Sequence, residues 1–378
     1  MSGSWMFVQP RRIGRGAALP LVFAGVLLTG FATGSWTTDR APGDDGGGGP
    51  GAPVGAVAEP RGANDAQEAV SRSGDRWSAA YTAREYEGLQ QALDGRYVGV
   101  GIAVRGSGDG VVVARVTPGS PAEDAGVRPG DRLRTVDGRD VTGRPVTEVV
   151  ARLRGDAEAA PVGSAVEVGL ARGQRAWTER LERARLATDP VTVVHLAEGI
   201  TRLKVSAFTS GAGEALREAV QALPPGRGVL LDLRGNPGGL LLEATEAASV
   251  FLDGGLVATY GEGEGQRALH AERGGDTERP LVVLVDEGSM SAAELLAGAL
   301  QDRGRALVVG SPTFGKGSVQ VPQEQPDGSV AELTVGQYAT PGGRTLEGAG
   351  LVPDVAVGEG EDALDKGLTV LSGLAARA

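Results

Sequence analysis

Lysine is scarce in this sequence, and one lysine stands in a stretch whose spacing could support two kinds of chemistry. Residues 310–318 read GSPTFGKGS, so Gly310, Gly315 and Lys316 fit the phosphate-binding pattern G-x-x-x-x-G-K-[ST]. The pattern fails only at its last position, where Gly317 replaces Ser or Thr. Arginine is abundant elsewhere in the chain, and arginine cannot give up its proton, whereas a buried lysine can. The stretch therefore predicts either a nucleotide-binding loop or a lysine that acts as a base.

The residues after Lys316 help to decide between these two kinds of chemistry. A phosphate-binding loop must run from a strand into a helix, because the helix N-terminus and its backbone amides bind the phosphates. The segment SVQVPQEQPDGSVAELTVGQYAT instead predicts a β-hairpin that turns at residues 326–328, and Gly317 offers no hydroxyl for Mg²⁺. We therefore disfavour nucleotide binding and keep two alternatives, a surface lysine in a glycine turn and a lysine base.

Ser291 is the candidate nucleophile that such a base would serve. It follows the apolar strand PLVVLVD and begins the helix SAAELLAGAL, where free backbone amides can stabilise an oxyanion. The local sequence alone favours an ordinary helix N-cap. However, Gly238 and Gly239 follow another apolar strand in VLLDLRGNPGGLL, and glycine lets backbone amides approach a substrate carbonyl closely. This combination of loops favours a catalytic serine.

These candidate residues lie at the ends of elements that predict an α/β core. Beyond about Leu186, apolar strands such as GVLLDLRGN and PLVVLVDEG alternate with helices such as GAGEALREAVQAL. Strands that are apolar without alternation predict a sheet that is covered on both faces. Before this core, a polar segment from Asp65 to about Leu93 predicts one or two helices from its periodic apolar residues Val70, Trp77, Tyr81, Tyr86 and Leu89.

The middle of the chain resembles a PDZ domain. The resemblance rests on the strand YVGVGIAV, the turn and helix PGSPAEDAG, the turn RPGD and a strand that ends in VDG, with TEVVARLRG as the second helix and AVEVGLAR as the closing strand. It implies that the C-terminus of a peptide adds as a strand and that backbone amides hold its carboxylate. The residues implied for peptide binding are Gly99, Val100, Gly101 and Ile102, with Val149 and Leu153 lining the side-chain pocket.

The core and the PDZ segment together resemble the carboxyl-terminal processing peptidases, or tail-specific proteases. The motifs DLRGNPGG, DEGSMSAAE, ALQDRGRALVVG, PTFGKGSVQ and YATPGGRTLEGAGLVPD carry the resemblance, in this order, and it covers nearly all of residues 70–357. It implies the nucleophile Ser291, the general base Lys316 and the lysine-orienting Gln320. It further implies an oxyanion hole at Gly238, Gly239 and Ala292, and a supporting role for Asp302. Met290 and Ala293 depart from the usual Ala and Ser without removing a catalytic group.

The implied mechanism explains why a lysine is needed. Lysine is a base only when neutral, so burial must lower the pKa of Lys316 from about 10.4 towards about 7 or 8. We expect Phe314 and the flanking glycines to provide an apolar setting without a neighbouring carboxylate. With no cysteine and only His195 and His270 as histidines, the sequence predicts no metal site, and we expect no cofactor.

The resulting fold prediction is an α/β (α+β) serine-protease core of crotonase-like type, with a small β-rich PDZ domain inserted after an N-terminal helical segment. The predicted boundaries are 1–36 for a signal peptide or membrane anchor, 37–64 for a flexible linker, 65–95 for a helical lead-in, 96–185 for the PDZ domain, 186–360 for the protease core and 361–378 for a helical tail.

The N-terminus predicts a location outside the cytoplasm. Arg11, Arg12 and Arg15 precede the apolar run of residues 17–33, and a Gly- and Pro-rich tether follows. The run favours a membrane anchor, although Ala32 and Gly34 also fit a cleavage site, and the sequence leaves open which applies. A net charge of −11 argues against nucleic-acid binding, and zero cysteines exclude disulfides and thiolate chemistry.

Three other functions compete with this prediction. A Ser-His-Asp triad would need His195 or His270, the only histidines, and His270 lies in a polar, glycine-rich stretch. A non-catalytic PDZ adaptor would be indicated by loss of Ser291, Lys316 or the Gly-Gly turn, all of which are present. A serine acyltransferase or esterase is disfavoured by the PDZ segment, which suits polypeptide substrates with free apolar C-termini. The sequence leaves open an oligomer, a regulatory partner and whether the PDZ domain recruits or inhibits.

Overall fold

The computed structural model describes residues 21–22, 64–108, 110–154, 160–196, 199–261, 265–358 and 360–375. The described chain forms two compact units. The first unit contains Asp65–Tyr81 and the chain from Pro190 onwards, and the second contains Thr82–Asp189. The predicted anchor and tether lie outside the described residues, apart from Asn64 and the short strand β1 (Leu21–Val22). No helix within the described ranges is both long and apolar enough to cross a membrane.

A six-stranded sheet forms the centre of the first unit. Its strands, in spatial order, are β11 (Val191–His195), β12 (Ile200–Val205), β13 (Gly228–Asp232), β17 (Leu281–Val285), β18 (Leu307–Gly310) and β21 (Val355–Ala356). β11 runs antiparallel to β12, and the other neighbours are parallel. Every residue of β13 and β17 is buried, which confirms the prediction from their unbroken apolar sequences.

Helices cover both faces of this sheet. They are α5 (Ala212–Gln221), α6 (Leu241–Ser249), α7 (Ala292–Asp302) and α8 (Ala363–Ala375). Because side chains alternate along a strand, Leu231 and Val283 pack in one core with residues of α5, α6 and α7, whereas Leu230 and Val282 pack in another with Leu371 of α8. Because β13, β17 and β18 are parallel, the loops that follow them leave from the same end of the sheet. These loops carry Gly238, Ser291 and Lys316.

A second sheet lies in the same unit. Its path is β14 (Gly239–Leu240), β1, β19 (Ser318–Glu324), β20 (Val330–Ala339), β15 (Gly255–Tyr260) and β16 (Arg267–Ala271). The antiparallel pair β19 and β20 is the predicted hairpin, so the chain enters a strand after Lys316 and not the helix that a phosphate-binding loop requires.

The lead-in segment is only partly helical. It contains α1 (Asn64–Ser73), a loop, the strand β2 (Ala79–Tyr81) and α2 (Ala83–Leu93). Trp77 lies in the loop and Tyr81 in β2, so the prediction that both lie on helices is wrong. β2 pairs with β20, which ties this segment to the hairpin that follows Lys316.

The second unit is a small β-rich body. Besides α2, its elements are β3 (Arg96–Gly99), β4 (Ile102–Ser107), β5 (Gly110–Val116), α3 (Pro121–Asp124), β6 (Arg132–Val136), β7 (Arg139–Asp140), α4 (Val146–Leu153), β8 (Ala165–Arg172), β9 (Arg175–Glu182) and β10 (Ala184–Ala187). The strand order is β4-β5-β6-β8-β9, and β3 pairs with β10. The predicted second helix corresponds to α4 and the predicted closing strand to β8, but β9, which pairs with β8 in a hairpin, was not predicted.

Candidate active site

Ser291 lies between β17 and α7 in a backbone conformation that residues other than glycine rarely adopt. Its φ is 56° and its ψ is −113°. The residue is fully buried, and its Oγ has no hydrogen-bond partner among the residues that the structure describes. Ser291 is the N-cap residue of α7, as the local sequence alone favoured, and its amide donates to Glu294 in the first turn of the helix, but its Oγ is not tied up in a hydrogen bond there. A strained backbone and a buried, unpartnered hydroxyl are together typical of a functional residue.

Lys316 lies in the loop between β18 and β19 with only 2% of its surface exposed. Burial lowers its pKa from 10.5 to about 8, against the weaker opposing effect of four carboxylates, those of Glu332, Glu347, Asp75 and Glu294. The expected setting without a neighbouring carboxylate is therefore wrong, and Phe314 is itself 47% exposed. A pKa near 8 leaves roughly a tenth of such amines neutral at pH 7, which is enough for a general base.

The buried carboxylate of Glu294 ties the serine loop to the lysine loop. It accepts hydrogen bonds from the backbone amides of Ser291 (2.7 Å), Gly315 (2.8 Å) and Lys316 (2.9 Å), and from the Thr313 hydroxyl. Burial raises the pKa of Glu294, while these four donors favour its ionised form. Because three of the donors are backbone amides, Glu294 fixes the main chain at both candidate catalytic residues.

Tyr338 makes a second connection between the same two residues. Its hydroxyl lies 3.1 Å from the carbonyl oxygens of both Ser291 and Lys316, so its one proton is donated to either or shared. The side chain is fully buried, and burial raises its pKa well above the usual value. The main chains of Ser291 and Lys316 are thus held together by a carboxylate on one side and a phenol on the other.

Gln320 is oriented by two hydroxyl groups. Its Nε2 donates to Ser318 Oγ at 2.8 Å and to Thr334 Oγ1 at 3.0 Å. Its Oε1 is buried and has no partner in the described part of the chain. The amide therefore presents an acceptor, the atom type that an ammonium group requires.

Glu332 is a second buried titratable group near the candidate base. Burial raises its pKa to about 7, while the charge of Lys316 and a hydrogen bond from the Tyr81 hydroxyl to Oε2 at 3.3 Å act against the rise. Its Oε1 has no hydrogen-bond partner among the described residues. Glu332 and Lys316 are therefore expected to influence each other's titration between about pH 7 and 8.

The glycine turn reaches the candidate nucleophile. A Cβ added to Gly238 would lie 3.1 Å from Ser291 Cβ and 3.2 Å from the Ala292 nitrogen. The amide of Gly238 donates to Asn236 Oδ1 at 2.8 Å, so this amide is already occupied, contrary to its expected role as an oxyanion donor. Ala292 is the first residue of α7, and its N–H has no intrahelical acceptor. Ala292 is therefore the better placed donor, and the role of the Gly239 amide stays a prediction.

An ion pair supports the loop that carries this turn. Arg234 Nε and Nη2 donate to the two oxygens of buried Asp232 at 2.8 Å and 2.9 Å. Lys204 Nζ donates to the Arg234 carbonyl at 2.8 Å. Burial alone would raise the pKa of Asp232, but Arg234 and Lys204 hold it below the usual value. This arrangement accounts for Lys204 as a structural residue.

The other predicted residues lie apart from these groups. Asp302 ends α7, eleven residues from Ser291, where it pairs with Arg344 and accepts from the Gly342 amide at 2.8 Å. Eleven residues of helix span about 16 Å, so Asp302 supports the fold and does not reach Ser291. His195 and His270 are both exposed, and His195 Nδ1 lies 3.1 Å from Thr201 Oγ1, which leaves no triad with Ser291 among the described residues.

The predicted peptide-binding residues lie together in the second unit. Gly99 ends β3 and Ile102 begins β4, while Gly101 has φ 83° and no room for a side chain beside Ser120. Val149 and Leu153 of α4 are 0% and 3% exposed, in the same core as Val100. They therefore lie inside the domain and would line a pocket only if α4 moved away from its neighbours.

The sequence interpretation missed Glu294, Tyr338, Glu332 and the role of Trp77. Glu294 follows Ser291 by three residues, which is a capping-box spacing, and this signal could have drawn attention to it. Nothing in the local sequence indicates the other three, because their contacts depend on how distant strands pair.

Comparison with protein families gives two matches. Residues 199–357 match the family model of peptidase family S41, and residues 112–162 match that of the PDZ domain. Over 291 residues the chain is 35% identical to carboxyl-terminal-processing peptidase 2 of Arabidopsis thaliana chloroplasts, a match that covers 71% of this chain. It covers 55% of that peptidase, so the chain spans a little over half the length of this curated relative.

Two solved structures are also similar. The photosystem II D1 C-terminal processing protease is 32% identical, and the match covers 77% of this chain and 80% of that protein with a TM-score of 0.48. A putative S41 protease from Bacteroides fragilis matches over 85% of this chain and 93% of that one, with a TM-score of 0.55 and 18% identity, which shows a shared fold.

Proposed function

Because this chain belongs to peptidase family S41 and carries a PDZ domain, we propose that it is a serine endopeptidase with a Ser-Lys dyad. The observation that supports this proposal best is the joint placement of Ser291 and Lys316. A buried, unpartnered hydroxyl and a buried amine with a pKa of about 8 are held through their main chains by the same two side chains, Glu294 and Tyr338. This is what a nucleophile and its base require.

In the proposed first step, neutral Lys316 takes the proton from Ser291 Oγ as that oxygen attacks the carbonyl carbon of the substrate. The negative charge that develops on the carbonyl oxygen is stabilised by the amides of Ala292 and Gly239. The resulting ammonium group carries three donors, and the free Oε1 of Gln320 offers one of them an acceptor.

In the second step, the tetrahedral intermediate collapses and the C–N bond breaks. Lys316 returns its proton to the leaving amine and is neutral again, while Ser291 carries the acyl group. Neutral Lys316 then takes a proton from water, whose oxygen attacks the ester carbonyl. Collapse of this second intermediate returns the proton to Ser291 Oγ and releases a carboxylic acid product.

We further propose that the PDZ domain selects substrates by their C-terminal tails. The backbone at Gly99, Val100, Gly101 and Ile102 would hold the terminal carboxylate, and an apolar final side chain would enter between Val149 and Leu153. Both of these side chains are buried, so binding would require α4 to open. The name of the similar chloroplast peptidase, which refers to processing at a carboxyl terminus, supports this choice of substrate.

We also propose an extracytoplasmic location and a crotonase-like type of core. Arg11, Arg12 and Arg15 before the apolar run 17–33 support an N-terminal anchor or signal peptide and an extracytoplasmic protease. The parallel strands between helices support a core of crotonase-like type, with the PDZ domain inserted after the lead-in segment.

The direct test is to incubate the protein with unstructured polypeptides that differ only at their C-terminal residues and to identify products by mass spectrometry. We expect internal peptide-bond cleavage that is lost in Ser291→Ala and in Lys316→Ala. Because the two residues act as a unit, the double variant should be no less active than either single variant. Cleavage by the Ser291→Ala variant at the wild-type rate would refute the proposal.

A further inference from the structure

The loop between α1 and β2 lies against the proposed base. The ring centroid of Trp77 is 5.4 Å from Lys316 Nζ and 5.8 Å from the ring centroid of Phe314. The Arg76 guanidinium carbon lies 4.5 Å from the same indole centroid. An aromatic side chain from the lead-in segment thus borders the amine, although 239 positions separate Trp77 from Lys316 in the sequence.

One carboxylate fixes both the indole and the main chain beside the base. Trp77 Nε1 donates to Glu347 Oε1 at 2.7 Å, and Arg76 Nη2 donates to the same oxygen at 2.6 Å. Glu347 Oε2 accepts from the Gly317 amide at 2.9 Å. Because Gly317 follows Lys316 directly, the position of the indole and that of the lysine backbone are coupled through Glu347.

The same loop reaches Gln320 through a second carboxylate. Asp75 Oδ2 accepts from the Trp77 amide at 3.1 Å and from the hydroxyls of Ser78 at 2.9 Å and Thr334 at 2.6 Å. Thr334 Oγ1 in turn accepts from Gln320 Nε2. The loop that holds Trp77 is therefore connected to the proposed base and to the residue that would orient it.

We propose that Trp77 is a positioning residue for Lys316. The indole of Trp77 excludes water from the amine, and Glu347 fixes the position of the indole relative to the loop that carries Lys316. This inference rests on the proposed Ser-Lys mechanism. It assigns to the segment before the PDZ domain a part in activating the protease, where the sequence had indicated only a helical lead-in.

The surrounding charges and burial shift the pKa of Lys316 in opposite directions. Glu294 faces Lys316 from α7, Glu332 from β20, Asp75 from the lead-in loop and Glu347 from the loop after β20, and all four favour the charged amine. Burial opposes them and prevails. A ring centroid at 5.4 Å is near the outer limit of about 6 Å for a cation–π contact, so we expect the indole to act mainly by excluding water. Without it, the pKa of Lys316 should rise.

The test is the pH dependence of kcat/KM for a short peptide substrate, measured on the whole chain. For Trp77→Ala we expect the midpoint of the rise to move up by about one pH unit. Activity at pH 7 should then fall roughly tenfold, with much less loss at pH 10, because a tenth as much of the amine is neutral at the lower pH. Trp177→Ala is the matched control, since Trp177 lies on β9 in the other unit, and its midpoint should equal that of the wild type.

Two further variants separate positioning from general damage. Glu347→Gln removes a charge that raises the pKa of Lys316, so its midpoint should move down, opposite to that of Trp77→Ala. Its plateau should fall because the contacts of Glu347 with Trp77 and with the Gly317 amide are weakened. Trp77→Phe keeps a ring but loses the donor to Glu347, so it should lower the plateau with a smaller change in midpoint.

The outcomes distinguish this inference from the proposed function. If wild-type cleavage depends on Ser291 but the midpoints of Trp77→Ala and Trp177→Ala agree, the inference is overturned and the dyad stands. If Trp77→Ala fails to fold, as judged by its thermal unfolding, the Trp77→Phe and Glu347→Gln profiles decide. Unchanged plateaus and midpoints in both would also overturn it.

Discussion

At the scale of single residues, the buried amine of Lys316 destabilises the fold at neutral pH. Lys316 has a pKa of about 8 in the folded protein and 10.5 as an ordinary lysine, a difference of about 2.5 units. Each unit corresponds to about 1.4 kcal/mol, so holding the charged form at pH 7 costs up to about 3 kcal/mol. The unfolded chain binds more protons between pH 8 and 10.5, and stability therefore rises with pH across that window.

We accordingly predict that Lys316→Met is more stable than the wild type at pH 7, by as much as about 3 kcal/mol, and inactive. The advantage should shrink as pH rises from 8 to 10.5, because the wild-type amine becomes neutral in both states. Urea unfolding of both proteins at pH 7 and pH 10 measures the difference. Equal differences at the two pH values would show that the pKa of Lys316 is not lowered by folding.

Sequence patterns identified the residues that carry the proposed chemistry, but they did not identify the residues that fix the positions of those groups. Lysine scarcity, the glycines around Lys316 and a serine between a strand and a helix are local signals. Tyr338 lies 47 positions from Ser291, and Trp77 lies 270 positions from Glu347. Contacts of that separation follow from strand pairing, and no single-sequence pattern records them.

At the scale of elements, the turn after β13 comes close to Ser291, the proposed nucleophile, and its three glycines differ in what surrounds them. Gly235 has φ 64° and open space at its Cβ position. Gly238 has φ 98°, and an added Cβ would lie 3.0 Å from the Met290 carbonyl oxygen. Gly239 has φ 137°, and an added Cβ would lie 2.3 Å from the Phe208 carbonyl oxygen. The same substitution should therefore have graded effects.

We predict that Gly235→Ala costs roughly 1–2 kcal/mol of stability for its left-handed backbone and keeps most activity, which makes it the matched control. Gly238→Ala should lower kcat about 10²-fold, because its Cβ displaces the Ala292 amide from the oxyanion site. Gly239→Ala should lose the most stability, since the main chain at Phe208 must move. Thermal unfolding and peptide kinetics on the three variants check this order, and equal effects in all three would contradict it.

The central strands were predictable because β13, up to its ion-paired last residue Asp232, and the whole of β17 are apolar without alternation, which is typical of strands buried on both faces. The lead-in was predicted less well. Its apolar residues follow a helical period, yet Trp77 lies in a loop, where the hydrogen bonds of Asp75 and Glu347 outweigh local helix preference. Tertiary contacts of this kind override a periodic pattern.

At the scale of the whole molecule, one chain combines a PDZ domain that we propose binds the C-terminus of a substrate with a protease core that we propose hydrolyses its peptide bonds. Tail recognition that contributes equally to binding of the substrate and of the transition state should change KM and leave kcat nearly unchanged. We predict that amidating the C-terminus of a protein substrate raises KM about tenfold or more, since hydrogen bonds to a charged group contribute about 1.5–3 kcal/mol. Substrates that end in Ala, Val or Leu should have lower KM than those that end in Asp or Lys.

Steady-state kinetics on matched acid and amide substrates make this comparison, with a short peptide that spans only the cleavage site as the control. A domain that recruits should give a lower KM for the acid. A domain that inhibits until a tail binds should instead raise kcat with the acid. Equal kinetics for both forms would mean that the carboxylate is not read.

The central claim is that Ser291 is a nucleophile activated by neutral Lys316. The most direct measurement is the rate at which a serine-reactive fluorophosphonate labels the protein, followed by mass spectrometry from pH 6 to 10. We predict one label, on Ser291, with a rate that rises through a midpoint near pH 8 and falls about 10²–10⁴-fold in Lys316→Arg, because a guanidinium cannot accept the proton. Lys366→Arg, which alters a surface lysine paired with Glu361, should be labelled at the wild-type rate. A label on another residue, or wild-type labelling of Lys316→Arg, would contradict the mechanism.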